Sequence, residues 1–445
     1  MAMAVTPTLY LSVEVKTREL DAKLLIAMAA ASAGLKVVLG QQWLMNENLA
    51  AMPPGIMFFK GLNRIQVLNM RNARKCGHLV VAGDEEAMGL ADAEYMNRDV
   101  HPDAAKFCDV VFAQGPRHLD ALKATDFAQR SEILLTGNPR IDLLRPEFRA
   151  SYEPEAAVLR ERHGKFVLIN TNFGGTNSAW GSVEKFRQVC INTGWLNPNN
   201  EAEVRQLEEL LAWERASYAH VRAVIDQLRE RVTEHTIIIR PHPSERVETW
   251  QEIFAGDPRV QVIQSGNHLS WILASAMLVH SSCTTGMEAM LLDKPVVGVC
   301  PPGYAWNDFF VANEVNLTFS DPAAAVEAVM QHLSGTGNIF TAHEARLREA
   351  ARRHFTGLDG AFAFQRIADH LVDLTDRHHR REFAFTPRPA FQKSILRNDY
   401  AKRKMSADEH EIRAKLRQLA GSIGRRADLT VQTIGDSLFL IEQAR

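Results

Sequence analysis

Cysteine is scarce: five residues in 445, at positions 76, 108, 190, 283 and 300, with no Cys-x-x-Cys pair. That scatter argues against a disulfide framework or a structural zinc, and fits a reducing compartment. Long apolar runs are missing as well. The longest, LLIAMAAASAGL, is about 12 residues and stops at Lys36, too short to span a bilayer. The opening stretch, MAMAVTPTLYLSVEVK, has no basic leader followed by an apolar run, so no secretory signal is expected. Neither the Gly-x-Gly-x-x-Gly fingerprint nor a Walker lysine loop occurs, which disfavours NAD and FAD. No Asp-x-Asp-like pair follows a strand, and His378 and His379 sit in a basic run, DRHHRR. No metal and no other cofactor is expected.

What is present suits a globular protein of two or three domains, with 46% apolar and 23% charged residues. The net charge of −2 hides an asymmetry: from Arg377 onward there are 15 Lys and Arg against 8 Asp and Glu. A basic tail on an acidic body has two readings, a solvated helical tail or peripheral contact with an anionic membrane face or glycan. Nucleic acid is not expected, because the basic residues come without a reading module.

Periodicity gives an α/β chain. TLYLSVEV alternates as a strand, the following helix carries Leu20, Leu24, Ala27, Met28 and Ala31 on one face, and LKVVLG is the next strand. Such crossovers make parallel sheets. GIMFFK, GHLVVAGD, DVVFAQG and EILLTGN continue the pattern, so 1–145 reads as a Rossmann-like acceptor domain. Pro139, Pro146 and Pro154 mark a connection, with GNPR as its hinge. A second Rossmann-like domain, 146–335, is expected from KFVLINTNFGG, a helix over roughly 201–232, HTIIIRPHP, RVQVIQSG, MLVHSS and KPVVGV. Helices over 336–385 would close the two-domain unit, and 386–445 would form a basic, mainly helical extension. In it Ser406 and Glu409 have capping-box spacing, and DSLFLIEQ is a last strand or a docking segment.

Ligands of open α/β sheets bind at the carboxyl ends of the strands. Behind the IIIR strand, Arg240 and His242 sit in a turn stiffened by Pro241 and Pro243, with Ser244 as the expected cap of the next helix. Arg and His there suit a phosphate or a ribose. Behind MLVH, the hydroxyls of Ser281, Ser282, Thr284 and Thr285 precede a helix whose first N–H groups form an anion site. Glu288 has two readings, a capping box with Thr285 or an acceptor for ribose hydroxyls. Asn172, Gly174 and Gly175 form a small-residue loop that a ligand could approach closely. In the first domain Glu14, Lys16, Arg18 and Glu19 crowd one strand end, and Asp84, Glu85 and Glu86 another. Arg18 opposes the helix macrodipole, a local cost that hints at a role in the substrate cleft with Lys16. Glu14, Asp84, Glu85 and Glu86 are the candidates for a general base.

Four stretches carry a resemblance to bacterial GT-B glycosyltransferases, covering roughly residues 8–375. LTGNPRIDLL resembles the interdomain segment of that superfamily. RPHPSE resembles the His-Pro motif of capsule Kdo transferases, bacterial sialyltransferases and polyglycerolphosphate polymerases. SSCTTGMEAMLLDKPVVGV resembles their serine pair, glutamate helix and KPV strand. YLSVEVKTRELDAKLL with GDEE resembles surface carbohydrate biosynthesis proteins. The resemblance implies two domains facing a cleft, a metal-independent glycosyltransferase, and a CMP-activated Kdo-like or sialic-acid-like donor held by His242, Ser281 and Ser282. It implies a glycan or lipid-linked glycan acceptor and a cytoplasmic location, with the tail reaching the inner membrane face as one option. A CDP-polyol phosphotransferase, a sugar-nucleotide epimerase of the same fold, and a non-catalytic glycan-binding assembly protein are the alternatives.

Overall fold

The structure is a computed structural model and describes residues 8–337, 339–378, 395 and 399–444. The chain forms two compact units: 1–87, 96–151 and 352–445 make the first, and 88–95 with 152–351 the second. Two Rossmann-like sheets result, as the alternation of strand and helix implies.

The first unit is built on an eight-stranded sheet. Its strands are β1 (Thr8–Val13), β2 (Lys36–Gln41), β3 (Ile56–Phe59), β4 (Leu79–Gly83), β5 (Val110–Ala113) and β6 (Glu132–Leu135). To these the chain's end adds β13 (Leu429–Gly435) and β14 (Leu438–Gln443), in the order β13-β14-β2-β1-β3-β4-β5-β6. β1 to β6 pair in parallel, whereas β14 runs antiparallel to β2. Parallel strands are covered on both faces, hence their unbroken apolar runs. The Lys16–Ser32 helix follows from the same logic: eleven of its residues from Leu20 onward, less Asp21, are buried, Lys23 among them. It packs against the Ala363–His378 and Glu409–Ser422 helices as well as the sheet. A helix apolar on all sides belongs in a core.

The chain's end therefore departs from the expected extension. Ile412, Leu416 and Leu419 do turn inward on the Glu409–Ser422 helix, and DSLFLIEQ is a strand. Both lie in the first unit, because its β2 edge and its first helix offer apolar surface that these elements cover. The helix cap is Asp408, whose side chain accepts from Glu411 N–H, rather than Ser406. The unit boundaries also differ from the expected ones: residues 352–378 belong to the first unit. Much of the basic run, 379–394 and 396–398, lies outside the described residues. No described helix is long and apolar enough to cross a membrane.

The second unit has a six-stranded parallel sheet: β7 (Phe166–Asn170), β8 (Thr236–Arg240), β9 (Val260–Val262), β10 (Met277–His280), β11 (Val296–Val299) and β12 (Leu317–Phe319), ordered β12-β11-β10-β7-β8-β9. The long Glu201–Arg231 helix lays Leu207, Leu211, Val221, Ile225 and Leu228 inward. Asn200 caps it by accepting from Ala202 and Glu203 N–H groups. β7 lies between β8 and β10, so the order in which strands are added reverses at it and the loops behind these three strands converge.

The segment read as a hinge is tightly held within the first unit. Pro139 and Pro146 open short helices, a position where a missing N–H costs nothing. Asp142 is fully buried and accepts from Ala363 and Phe364 N–H groups at 2.9 and 2.8 Å. The Arg145 guanidinium donates to the Gly360 carbonyl at 3.0 Å.

Candidate nucleotide site and carboxylate cluster

In the second unit, the residues behind β7, β8 and β10 form one network. Glu245 organises it. Its buried carboxylate accepts from Thr171 Oγ1 at 2.6 Å, His242 N–H at 3.0 Å, Trp250 Nε1 at 3.0 Å and Asn177 Nδ2 at 3.2 Å. One side chain thus ties the loop behind β7 to the turn behind β8. Glu214 does the same for the glycine loop, accepting from Gly175 N–H, Thr176 N–H and Thr176 Oγ1. Burial pushes its carboxyl up to about 7 despite those donors.

The His-Pro turn departs from the expected roles in two ways. The Arg240 guanidinium does not present itself to a ligand; it donates to the carbonyls of Ser265 (2.5 Å), Gln264 (3.2 Å), Gly266 (3.2 Å) and Ile263 (3.5 Å). A planar five-donor fork suits that job, and Arg240 fixes the 263–266 loop. Ser244 does not cap the following Val247–Ile253 helix. Its hydroxyl lies 2.6 Å from His242 Nδ1, with His242 exposed. A methyl at Gly174 would sit 2.3 Å from that hydroxyl, so the glycine makes room for Ser244 rather than for a ligand. Asn172 is half-buried beside it.

Behind β10 the backbone turns sharply. Ser282 has φ +51°, a sparsely populated conformation for a side-chain-bearing residue and one that recurs at functional sites. Cys283 then precedes the Thr284–Leu291 helix, and no side chain caps it. Ser281, three residues ahead of that helix, has a hydroxyl that is buried with no hydrogen-bond partner among the described residues. Asn170 at the end of β7 donates from Nδ2 to Thr285 Oγ1 at 2.9 Å, while its buried Oδ1 is also unpartnered. Thr284 is exposed at the helix start, and Ser282 Oγ accepts from Asn313 Nδ2 at 2.8 Å. His280 supports the turn from beneath: it is fully buried, burial holds it down at about 3, and Nδ1 accepts Cys283 N–H at 3.4 Å. Gly286 is required there, since a Cβ would fall 2.4 Å from His280 Nε2. The capping-box reading of Glu288 does not hold. Its carboxylate faces His268 Nε2 at 3.1 Å instead.

The first unit holds a different arrangement. Three of the four candidate carboxylates are matched to cations. Glu14 bridges Lys60 and Lys404, the latter at 2.7 Å. Burial opposes its charge, but the two ammonium groups outweigh that and hold it down at about 2. Glu85 is buried between Lys23 (3.9 Å) and Arg140 (3.7 Å), and Glu86 pairs with Arg18 at 2.9 Å. Lys16 is spent on Glu411 and the Ser406 carbonyl, both at 2.7 Å, so it fastens the C-terminal helix. Asp84 makes no ion pair among the described residues. Burial and then the charge of Glu86 push it up to about 7. It lines a cavity of about 20 Å³ with Lys23, Glu85, Gln114 and Asn138.

Glu245, Glu214, Asn170, His268 and Lys23 escaped the sequence reading. Asn170 and Lys23 left a trace, a polar residue closing the apolar VLIN strand and a lone cation ahead of LLIAM. Glu214 left none, since it lies on a helix far along the chain from the loop it holds.

No protein-family model and no curated protein matches this chain. Solved structures do. The S. aureus MnaA–UDP co-structure matches with a TM-score of 0.51 and 12% identity over 86% of this chain and 100% of that one. UDP-GlcNAc 2-epimerase from Methanocaldococcus jannaschii matches with a TM-score of 0.50 and 11% identity over 83% of this chain and 100% of that one. At such identities the likeness is one of fold alone, the GT-B fold of two Rossmann-like domains.

Proposed function

We propose that the chain is a metal-independent glycosyltransferase of surface-glycan biosynthesis whose second unit holds the nucleotide phosphate of an activated sugar. One observation carries this reading. Just ahead of the uncapped N-terminus of the Thr284–Leu291 helix, Ser281 Oγ is buried without a partner among the described residues, and Asn170, bonded through Nδ2 to Thr285, likewise leaves its Oδ1 for a ligand hydroxyl. Burying a polar group unpaired costs about 1–3 kcal/mol, which a ligand would recover. The helix N–H groups, Ser281 Oγ and the His242 ring supply donors for phosphate oxygens. Glu288, backed by His268, is the acceptor for ribose hydroxyls. The finer reading, a CMP donor carrying a Kdo-like or sialic-acid-like sugar, rests on the resemblance of RPHPSE and the serine pair.

In the reaction, the acceptor hydroxyl oxygen bonds to the anomeric carbon as the bond from that carbon to the phosphate oxygen breaks. The nucleotide leaves with the electron pair, its charge stabilised by the helix N–H groups. Asp84 takes the hydroxyl proton; a carboxyl near 7 is matched to that task at neutral pH. Glu86 is the neighbouring charge that helps raise it, while Glu14 and Glu85 are held in ion pairs.

A thermal-shift panel with CMP, CDP, UDP, GDP and their sugars tests the donor. Stabilisation by CMP and its sugars selects the ulosonic acid branch, and none by any nucleotide sinks the assignment. A sugar-nucleotide epimerase is the second reading, favoured by the fold shared with UDP-GlcNAc 2-epimerase. Incubation of donor without acceptor separates the two: an epimerase converts the sugar and keeps it on the nucleotide.

A further inference from the structure

We propose that Trp180 and Lys185 form a subsite for an acidic sugar, the indole taking the apolar face of the ring and the ammonium its carboxylate. The inference rests on the second unit holding the nucleotide. The loop behind β7 carries the argument. Two buried carboxylates lock it: Glu214 accepts from the N–H groups of Gly175 and Thr176 at 3.0 and 2.8 Å, and Glu245 from Thr171 Oγ1 and Asn177 Nδ2. Backbone bonds then clip the loop to the His-Pro turn. Ala179 N–H donates to the Ser244 carbonyl at 2.7 Å, and Arg246 N–H to the Asn177 carbonyl at 2.8 Å.

The residue held at the outer end of this clamped loop is an indole in water. Trp180 follows Ala179 directly and is 51% exposed. Its ring makes no aromatic contact and its Nε1 no hydrogen bond among the described residues. A flat apolar ring fixed in advance loses little entropy when a ligand ring stacks on it. Lys185 supplies the charge. A Cβ on Gly181, the residue after Trp180, would lie 3.8 Å from Lys185 Nζ, so the ammonium folds back over the same stretch of backbone. Lys185 forms no ion pair among the described residues, and it stands in the first turn of the Val183–Thr193 helix, where the macrodipole disfavours a cation. The nucleotide phosphate has its own donors behind β10, which leaves this ammonium for a carboxylate. A neutral sugar would satisfy the indole alone; an acidic one satisfies both side chains. The donor's sugar and a sugar of the acceptor glycan share this chemistry.

Calorimetric titrations of the full chain test the subsite, with CMP, CMP-N-acetylneuraminate, CMP-Kdo and a sialic acid tetramer as probes. Trp180→Ala is expected to weaken binding of the acidic sugar roughly tenfold, with Trp180→Phe restoring most of it. Lys185→Gln is expected to weaken it about two- to fivefold, and CMP affinity stays unchanged in all three variants. Losses with the CMP-sugars put the donor sugar on the indole; losses with the tetramer put the glycan there. Both side chains are exposed, and circular dichroism checks that the variants fold. Wild-type affinities in Trp180→Ala, or a parallel loss of CMP, overturn the proposal. So does a wild type that binds neither CMP-sugar more tightly than CMP and does not bind the tetramer. A wild type that binds the tetramer but not CMP sinks the donor reading alone.

Discussion

The two units place polar side chains at the same structural position, behind parallel strands, and use them in opposite ways. The first unit collects full charges and cancels most of them: Glu14, Glu85 and Glu86 each meet a cation, and Asp84 is left near 7. The second unit turns its carboxylates Glu245 and Glu214 onto its own loops and leaves Ser281 Oγ, and the acceptor Asn170 Oδ1, without partners among the described residues. Its one strand-end arginine, Arg240, is taken up by backbone carbonyls. Burial raises the cost of every charge, so an ion-paired cluster is a way to hold one carboxyl protonated-to-ionised near neutrality. Neutral dipoles and helix N–H groups bind an anion without that cost.

Within the first unit, the sharpest contrast is between Asp84 and Glu14. Asp84→Asn is expected to lower turnover roughly 10²- to 10⁴-fold with little change in nucleotide affinity. Glu14→Gln is expected to act on stability instead: it removes the carboxylate shared by Lys60 and Lys404, leaving Lys60 only its longer pair with Glu19, and lowers unfolding stability by about 2 kcal/mol in urea titrations, with turnover largely kept. Equal losses of turnover in both variants would erase the distinction.

The buried acids also set a pH dependence. Glu214 and Asp142 are pushed up to about 7, so the folded chain binds more protons than the unfolded chain between roughly pH 4.5 and 7. Stability contributed by these protons is present at acid pH and lost as pH rises through 7. Thermal midpoints should fall over that window, and Glu214→Gln should flatten its share of the slope. The smallest effect concerns salt. A site of neutral donors should lose less than about twofold in CMP affinity between low and physiological ionic strength. A steep loss would point to a cation in contact with phosphate.

Much of this was legible in the sequence because apolar periodicity is a local signal. All six strands expected in the first unit and all five expected in the second are found where such segments as TLYLSVEV, LKVVLG, HTIIIR and MLVH announced them, while β12 and β13 were not expected. His242, Ser281 and Ser282 were legible for a related reason: each follows a strand directly. Roles that depend on long-range partners were not. Arg240 is spent on a loop about 25 residues on, Glu288 faces His268, and Lys16 is spent on Glu411 some 395 residues away. Ser406 and Thr285 each showed capping spacing, yet the helices start at other residues, because a cap depends on the path of the incoming chain as well as on spacing.

The central claim is that the neutral strand-end site of the second unit binds nucleotide phosphate. Ser281→Ala tests it most directly, since this hydroxyl has no hydrogen-bond partner among the described residues to lose. Calorimetric titration with CMP, alongside urea unfolding of the same samples, is the measurement. The expected result is affinity lowered about tenfold with stability unchanged or slightly raised. Unchanged affinity, or a loss of stability that accounts for any change, would contradict it.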